Sequence, residues 1–270
     1  SQPTTGDGFQ WSAIGYRHCA ERAGCMRIVV VSRWFNEEFF APFFLNHYQW
    51  ADEIIILLEK TSTDKSAEII SKYSNARIEY CDTGTTLNDR LLSDIVSDCV
   101  AGLQCDWVVK ADADEYLFPY GLQDPREVLA KANGNLINAW FRWVYRHISE
   151  KDLDSKQPTV AQRRHGGEYT IWKGMGDKYL KPSIVRPEVK LRWCPGDQRH
   201  YPNPAVKVSS TVFDGVHWQM ADVENAVARN IKNESRLSEE NKKNNWGVKN
   251  FTPEMIRAEC QRHLHDPQLF

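Results

Sequence analysis

At 270 residues, with 41% hydrophobic and 11% aromatic side chains, the chain can bury a full core as one large domain, which excludes wholesale disorder. A balance of 34 Lys+Arg against 36 Asp+Glu gives a formal net charge of −2, poor for a nucleic-acid-binding protein, and no nucleic-acid motif is present. The charge is uneven, with 20 acidic and 12 basic residues over 1–141 but 13 basic and 7 acidic over 142–200. The first half therefore suits a cation and the middle an anionic substrate.

The polar start SQPTTGDGFQ is not a signal peptide. Lacking an initial Met, residues 1–26 are expected to form an N-terminal extension of a domain excised from a larger, multidomain protein. From Arg27, MRIVVVSRWF reads as a buried strand, NEEFFAPFFLNHYQWA as a helix and DEIIILLE as a second strand. TSTDKSAEIISKYS opens with Ser and Thr as a helix cap would, and ARIEYCD is a third strand. LNDRLLSDIVSDCVAGL sets Leu91, Leu92, Ile95, Val96 and Val100 on one helical face before the strand CDWVVKAD. This alternation predicts an α/β fold with a mostly parallel sheet and helices on both faces.

From Gly134 the pattern changes. NLINAWFRWVYRHI is strand-like, and Lys151 to His200, rich in Gly, Pro and basic residues, predicts loops, antiparallel strands and a lid with paired glycines in IWKGMGDKY. Helical signals return from Asp222 to His265, each segment after a plausible cap. The seven cysteines have neither disulfide-framework nor zinc-site spacing, so a reducing cytoplasm is expected. No apolar run approaches the roughly 20 residues of a membrane span, which leaves peripheral contact with the inner face of the membrane.

The segment WVVKADADEYLF concentrates the chemistry. Asp112 and Asp114 stand two apart at the carboxyl end of a predicted buried strand, where α/β sheets bind ligands. Two such carboxylates repel unless a cation intervenes, and Mg²⁺ or Mn²⁺ with diphosphate oxygens would answer that need. The alternative for the motif alone is a solvated acidic turn.

Taken in order, VVVSRWFNEE, ADEIIILLEKTSTD and DWVVKADADEYL resemble nucleotide-sugar glycosyltransferases of the GT-A fold, family 2 and its bacterial D-A-D-E-[FY]-L relatives, over about 120 residues. The resemblance implies a GT-A (Rossmann-like) nucleotide-sugar-binding half over 27–120, an acceptor-binding half of mixed strands and loops over 121–221, and C-terminal helices over 222–270, integrated in one domain. It implies a metal-dependent transfer, with inversion, of a sugar from a nucleotide-diphosphate sugar, UDP-sugar favoured, to a glycan or lipid-linked glycan in bacterial surface polysaccharide synthesis.

Carried over by position, the turn of Ser32, Trp34, Asn36 and Glu37 would lie beside the nucleobase. Glu59 stands where the family has an Asp, and Lys60 and Thr61 replace its usual Asp-Gly. Asp64 keeps an S-x-D element with Ser62, as donor contact or as helix cap. Asp112, Asp114 and His217 of DGVHW would hold the metal, with His200 in reserve, Asp112 also reaching toward ribose and Glu115 in support. Asp197 of PGDQRH, or Glu168 of RHGGEYT, would take the acceptor's proton. Lys181 and Arg186, and more weakly Arg90, would steady the leaving diphosphate.

Other classes fit less well. Sugar nucleotidyltransferases need a Gly-rich loop where this chain has SRWFNEE, and DxDx[TV] phosphatases need Thr or Val where Tyr116 stands. A carbohydrate-binding or scaffold domain derived from a glycosyltransferase would be expected to lose Asp112 and Asp114.

Overall fold

The computed structural model describes residues 26–167 and 178–269. Nearly all of the expected N-terminal extension, the base candidate Glu168, and 171–177 of the expected lid therefore lie outside the described residues. In chain order the elements are β1 (Ile28–Trp34), α1 (Ala41–His47), β2 (Glu53–Glu59), α2 (Ser66–Ile70), β3 (Ala76–Cys81), α3 (Asp89–Gly102), β4 (Trp107–Lys110) and β5 (Glu115–Pro119). There follow α4 (Pro125–Lys131), β6 (Leu136–Tyr145), α5 (Thr159–Gln162), β7 (Lys178–Val185), β8 (Phe213–Met220), α6 (Val223–Arg236), α7 (Glu239–Asn244) and α8 (Pro253–Arg262). Among them no helix is long and apolar enough to cross a membrane.

All eight strands join one sheet in the order β3-β2-β1-β4-β7-β6-β8-β5. β3, β2, β1 and β4 are parallel, as the alternating sequence predicts. β7 then runs antiparallel to β4 and β6 antiparallel to β7, while β8 lies parallel to β6 and β5 closes the far edge antiparallel to β8. The α/β architecture and mixed second half are consistent with the GT-A arrangement that the sequence implies.

Apolar runs without alternation make the central strands, because both of their faces are covered. Ile28, Val30, Ile54, Ile56, Trp107 and Val109 face one layer with α1, and Val29, Val31, Ile55, Leu57 and Val108 face the other with Val96 and Val100 of α3. On α3 the buried stripe is Leu92, Val96 and Val100, four residues apart; Leu91 falls one position off it and is exposed, contrary to expectation. The cap of α2 also differs: Lys65 occupies the cap position without a side-chain bond, and Asp64 accepts from the Ser66 amide at 3.0 Å. Asn88, Asp222 and Thr252 cap α3, α6 and α8 by accepting from backbone amides, the latter two as the sequence predicts.

The chain passes from β1 outward through β2 and β3, then returns to place β4 on the other side of β1. The crevice beyond the carboxyl ends of β1 and β4 is therefore the topological switch point, where open α/β sheets take their ligands. β5, which the sequence pattern does not separate from β4, carries the chain to the far edge and pairs Glu115 with His217.

Gly215 on β8 is opposite Phe141 of β6, and a Cβ there would lie 2.7 Å from the ring. Gly215→Ala is expected to destabilise the protein by about 1–3 kcal/mol, the cost typical of overpacking. Equilibrium urea unfolding measures this, and an unchanged midpoint would show that the ring yields freely.

Candidate active site

β4 stops after Lys110 because the next residues turn on their own side chains. The Glu115 amide donates to the Asp112 carbonyl at 2.9 Å, and the Asp112 amide donates to Glu115 Oε2 at 3.0 Å. That turn gathers Asp112, Asp114 and Glu115 at the mouth of the switch point, with Asp114 and Glu115 fully buried and Asp112 part-exposed. β8 locks the turn from the far side, the Trp218 amide donating to the Asp114 carbonyl at 2.8 Å.

Beneath the turn lies a buried cluster of three carboxylates and three cations. Lys110 Nζ is 3.1 Å from Asp112 and 2.7 Å from Asp197, and Lys181 Nζ donates to Asp112 at 3.0 Å and to both oxygens of Glu115 at 2.8 and 3.0 Å. Arg33, at the end of β1, spans Asp112 and Asp197 at 3.7 and 3.3 Å. Burial alone would raise the Asp112 and Asp197 carboxyls; Lys110 and the neighbouring cations outweigh it and hold both below the ordinary carboxylate range. Burial likewise disfavours the Lys181 ammonium, but Asp112 and Glu115 push it well above the usual lysine value.

Asp114 is served separately. Arg229 of α6 grips it with both terminal nitrogens, Nη2 reaching Oδ1 at 3.2 Å and Nη1 donating to Oδ2, while His217 Nε2 stands 2.9 Å from Oδ2. These charges overcome desolvation and hold the Asp114 carboxyl well below its usual range. His217 is packed on Trp143, ring centroids 4.3 Å apart, and its Nδ1 meets the Tyr179 hydroxyl at 3.1 Å.

Arg229 begins a basic row on one face of α6. Its Nε donates to Glu37 at 3.2 Å; Lys232 Nζ donates to Glu37 and to the Phe35 and Asn36 carbonyls; Arg236 pairs with Glu59 and lies 3.3 Å above the Phe35 ring. The spacing i, i+3, i+7 puts all three on one side of the helix. Arg229 and Arg236, with Asp112 and Asp114 of the turn, wall a cleft of about 380 Å³, inside the roughly 300–1,000 Å³ of small-molecule sites. Trp34, Phe35, Asp89, Trp246 and Lys249 also line it. Burial raises the Asp89 carboxyl, and burial together with Arg229 brings the Lys249 ammonium down to about 8.

Of the residues expected from sequence, Trp34, Glu37, Glu59, Asp112, Asp114 and His217 line this one cleft. Ser32 is buried behind it and accepts from the Trp34 indole at 2.8 Å. Asn36, in a left-handed conformation, accepts from the Thr63 and Asp64 amides and ties two loops together. Asp64 accepts from the Ser66 and Glu38 amides at 3.0 and 2.8 Å and so ties the same two loops. Arg90 is on the surface with Glu240, 5.0 Å from the Trp246 ring.

Three expectations are corrected. Asp197, the proposed base, is fully buried because Gly196 and Asp197 itself both take positive φ, which turns the carboxylate inward onto Lys110 and Ser93. Lys181 neutralises the turn from below and does not line the cleft. Arg186 sits 4.3 Å over Trp107 at the amino end of β4, because β7 runs antiparallel to it. The reserve His200 is bonded to the Tyr201 carbonyl, outside the cleft. The sequence reading missed Arg33, Lys110, Lys249 and the α6 row; the one available signal was the basic spacing in VARNIKNESR.

Asp112, Asp114 and His217 do not fit the expected metal. Both oxygens of Asp114 are taken by Arg229, those of Asp112 by lysines, and His217 faces Asp114 itself. Among the described residues no three His, Cys, Asp or Glu side chains form a group that could hold an ion.

No protein-family model matches the chain, and none of the curated proteins does. Among solved structures it is similar to residues 1–349 of S. aureus TarS, at 14% identity over 88% of this chain and 71% of that one, TM-score 0.40. A longer TarS gives 13% over 88% and 43%, TM-score 0.39. Glucosyl-3-phosphoglycerate synthase from Mycobacterium tuberculosis, with Mn²⁺, UDP-glucose and phosphoglyceric acid, gives 18% over 43% and 44%, TM-score 0.30. The chain thus spans less than half of the longer TarS and of the synthase.

The lowered carboxyls set an acid limit. Asp112, Asp114 and Asp197 titrate lower in the folded chain than the roughly 3.9 of an unfolded aspartate, so their stabilisation is complete above that value and is lost as pH falls through it toward the folded values. Urea midpoints should hold near about pH 6 and fall steadily toward about pH 3. A flat profile across that window would mean the ion pairs do not persist in solution.

Proposed function

We propose that the chain is a glycosyltransferase that moves a sugar from a nucleoside diphosphate sugar, a UDP-sugar foremost, to a hydroxyl of a glycan or lipid-linked glycan acceptor, with inversion, in bacterial surface glycan synthesis. The observation that carries this is the cleft at the β1/β4 switch point, where the acidic turn and four cations, Arg33, Arg229, Arg236 and Lys249, converge. Beside it stands the ordered sequence resemblance.

In this assignment the nucleoside lies between the β1 and β2 ends, near Trp34 and Glu59, and its diphosphate points toward the turn after β4. As the acceptor oxygen bonds to the anomeric carbon, the bond from that carbon to the diphosphate oxygen breaks and charge gathers on the leaving phosphate. Cations already fixed by Glu37, Glu59 and Asp114 need little reorganisation to receive it, which is the condition for effective electrostatic catalysis. The divalent ion implied by the resemblance has no step here. A carboxylate must still accept the acceptor proton. With Asp197 committed to Lys110, Glu168 is the proposed base.

Two experiments test the assignment. A calorimetric panel of UDP-, GDP- and ADP-sugars, each with and without Mn²⁺, should find a donor that binds with a dissociation constant between about 1 μM and about 1 mM, the range of ordinary substrates. Asn233→Trp, which fills the cleft without breaking an ion pair, should abolish that binding; unaltered binding would remove the donor from this cleft. Glu168→Gln should lower transfer by about 10²-fold or more while donor affinity stays unchanged. Full transfer by that variant would exclude Glu168 as the base.

A further inference from the structure

We propose that the cleft holds the donor's diphosphate through side-chain cations, with Arg229 occupying the position a divalent ion would need, so that nucleotide binding requires no metal. The inference rests on the nucleotide-sugar assignment above and names how that site handles charge.

The argument begins with Asp114. A carboxylate that serves a divalent ion presents at least one open oxygen toward ligands shared with other donors. Here both oxygens carry Arg229, and Oδ2 carries His217 as well. Arg229 is itself held on a second side by Glu37 and lies 5.4 Å from the Phe40 ring. A dication at Asp114 would have to displace a guanidinium fixed on these sides, or sit against its charge.

Asp112 offers no better seat. Lys110 is on Oδ1 and Lys181 on Oδ2, both lysines buried, and Glu115 spends both its oxygens on Lys181. The acids of the turn thus arrive already neutralised by residues from β4, β7 and α6. Three of the five N–H donors of Arg229 are spent on Asp114 and Glu37; the other two, one on each terminal nitrogen, remain for phosphate oxygens, beside Lys249 and Arg33 on the cleft wall. One terminal nitrogen of Arg33 is buried without a hydrogen-bond acceptor, so this cation has donor capacity left. Asp114 is then the anchor that orients Arg229 for the diphosphate.

The test uses the chain as described and UDP as the probe. Its affinity, measured by calorimetry, should agree within about threefold between buffer containing EDTA and buffer containing Mn²⁺. Mn²⁺ alone, followed by the electron-spin-resonance signal of the free ion, should show no tight site. Arg229→Gln should weaken UDP by about tenfold or more, as loss of a charge-assisted contact does. If that variant does not fold, judged by circular dichroism, Lys249→Met, outside the Asp114 pair, should give a loss of similar size. UDP binding that appears with Mn²⁺ and vanishes with EDTA would overturn the proposal while leaving the glycosyltransferase assignment standing. Undiminished binding by a folded Arg229→Gln would overturn it as well. Failure of UDP, GDP and ADP to bind with or without Mn²⁺ would overturn both.

Discussion

The structure turns on how four carboxylates, three of them in the turn after β4, are matched by cations where little water reaches them. Moving a carboxylate from water into a protein interior costs several kcal/mol even after relaxation, and the cost is recovered only where opposite charges and hydrogen bonds meet it closely. Lys110, Lys181 and Arg33 meet it for Asp112, Glu115 and Asp197; Arg229 and His217 meet it for Asp114. Removing one member would leave its partner buried and uncompensated. The cluster therefore fixes the relative positions of β1, β4, β7, β8 and α6, and with them the walls of the cleft.

That dependence explains why the second half of the sheet is mixed. A parallel strand beside β4 would deliver its residues in the same sense as β4. The antiparallel β7 instead carries Lys181 toward the turn from its opposite end, and the β8–β5 pairing sets His217 across from Glu115. The parallel half supplies the crevice with Arg33 and Lys110, and the mixed half adds Lys181 and His217 to the partners that let an acidic motif occupy it.

The contrast between what was legible in the sequence and what was not follows from the range of the forces involved. The central parallel strands β1, β2 and β4 announce themselves because burial on both faces demands continuous apolar runs such as IVVV and IIILL, and that demand is local. Trp34, Glu37, Glu59, Asp112, Asp114 and His217 could be named because strand ends and short motifs mark them. Arg229 could not: it lies 115 residues beyond Asp114, and a basic residue on an amphipathic helix ordinarily points to solvent. Spacing likewise reveals that Asp112 and Asp114 are near each other, but not which cations the fold returns to them. Asp197 misled for a related reason, because a Pro-Gly-Asp turn reads as surface, and only its paired positive φ angles show it folding inward.

The location of the counter-charge has a consequence for chemistry. A metal ion brings its charge as a separate ligand, at a concentration the cell sets, whereas a guanidinium on α6 brings it as part of the fold. The charge that would receive a leaving phosphate is then tied to the packing of the C-terminal helix: α6 packs through Ala226 and Val227 into the cluster formed by Trp143, Tyr145, Met220, Phe251 and Ile256. Trp143 also stacks on His217, which touches Asp114. One apolar cluster thus supports both partners of the same carboxylate, and changes in its packing would reach the cleft as a displacement of charge.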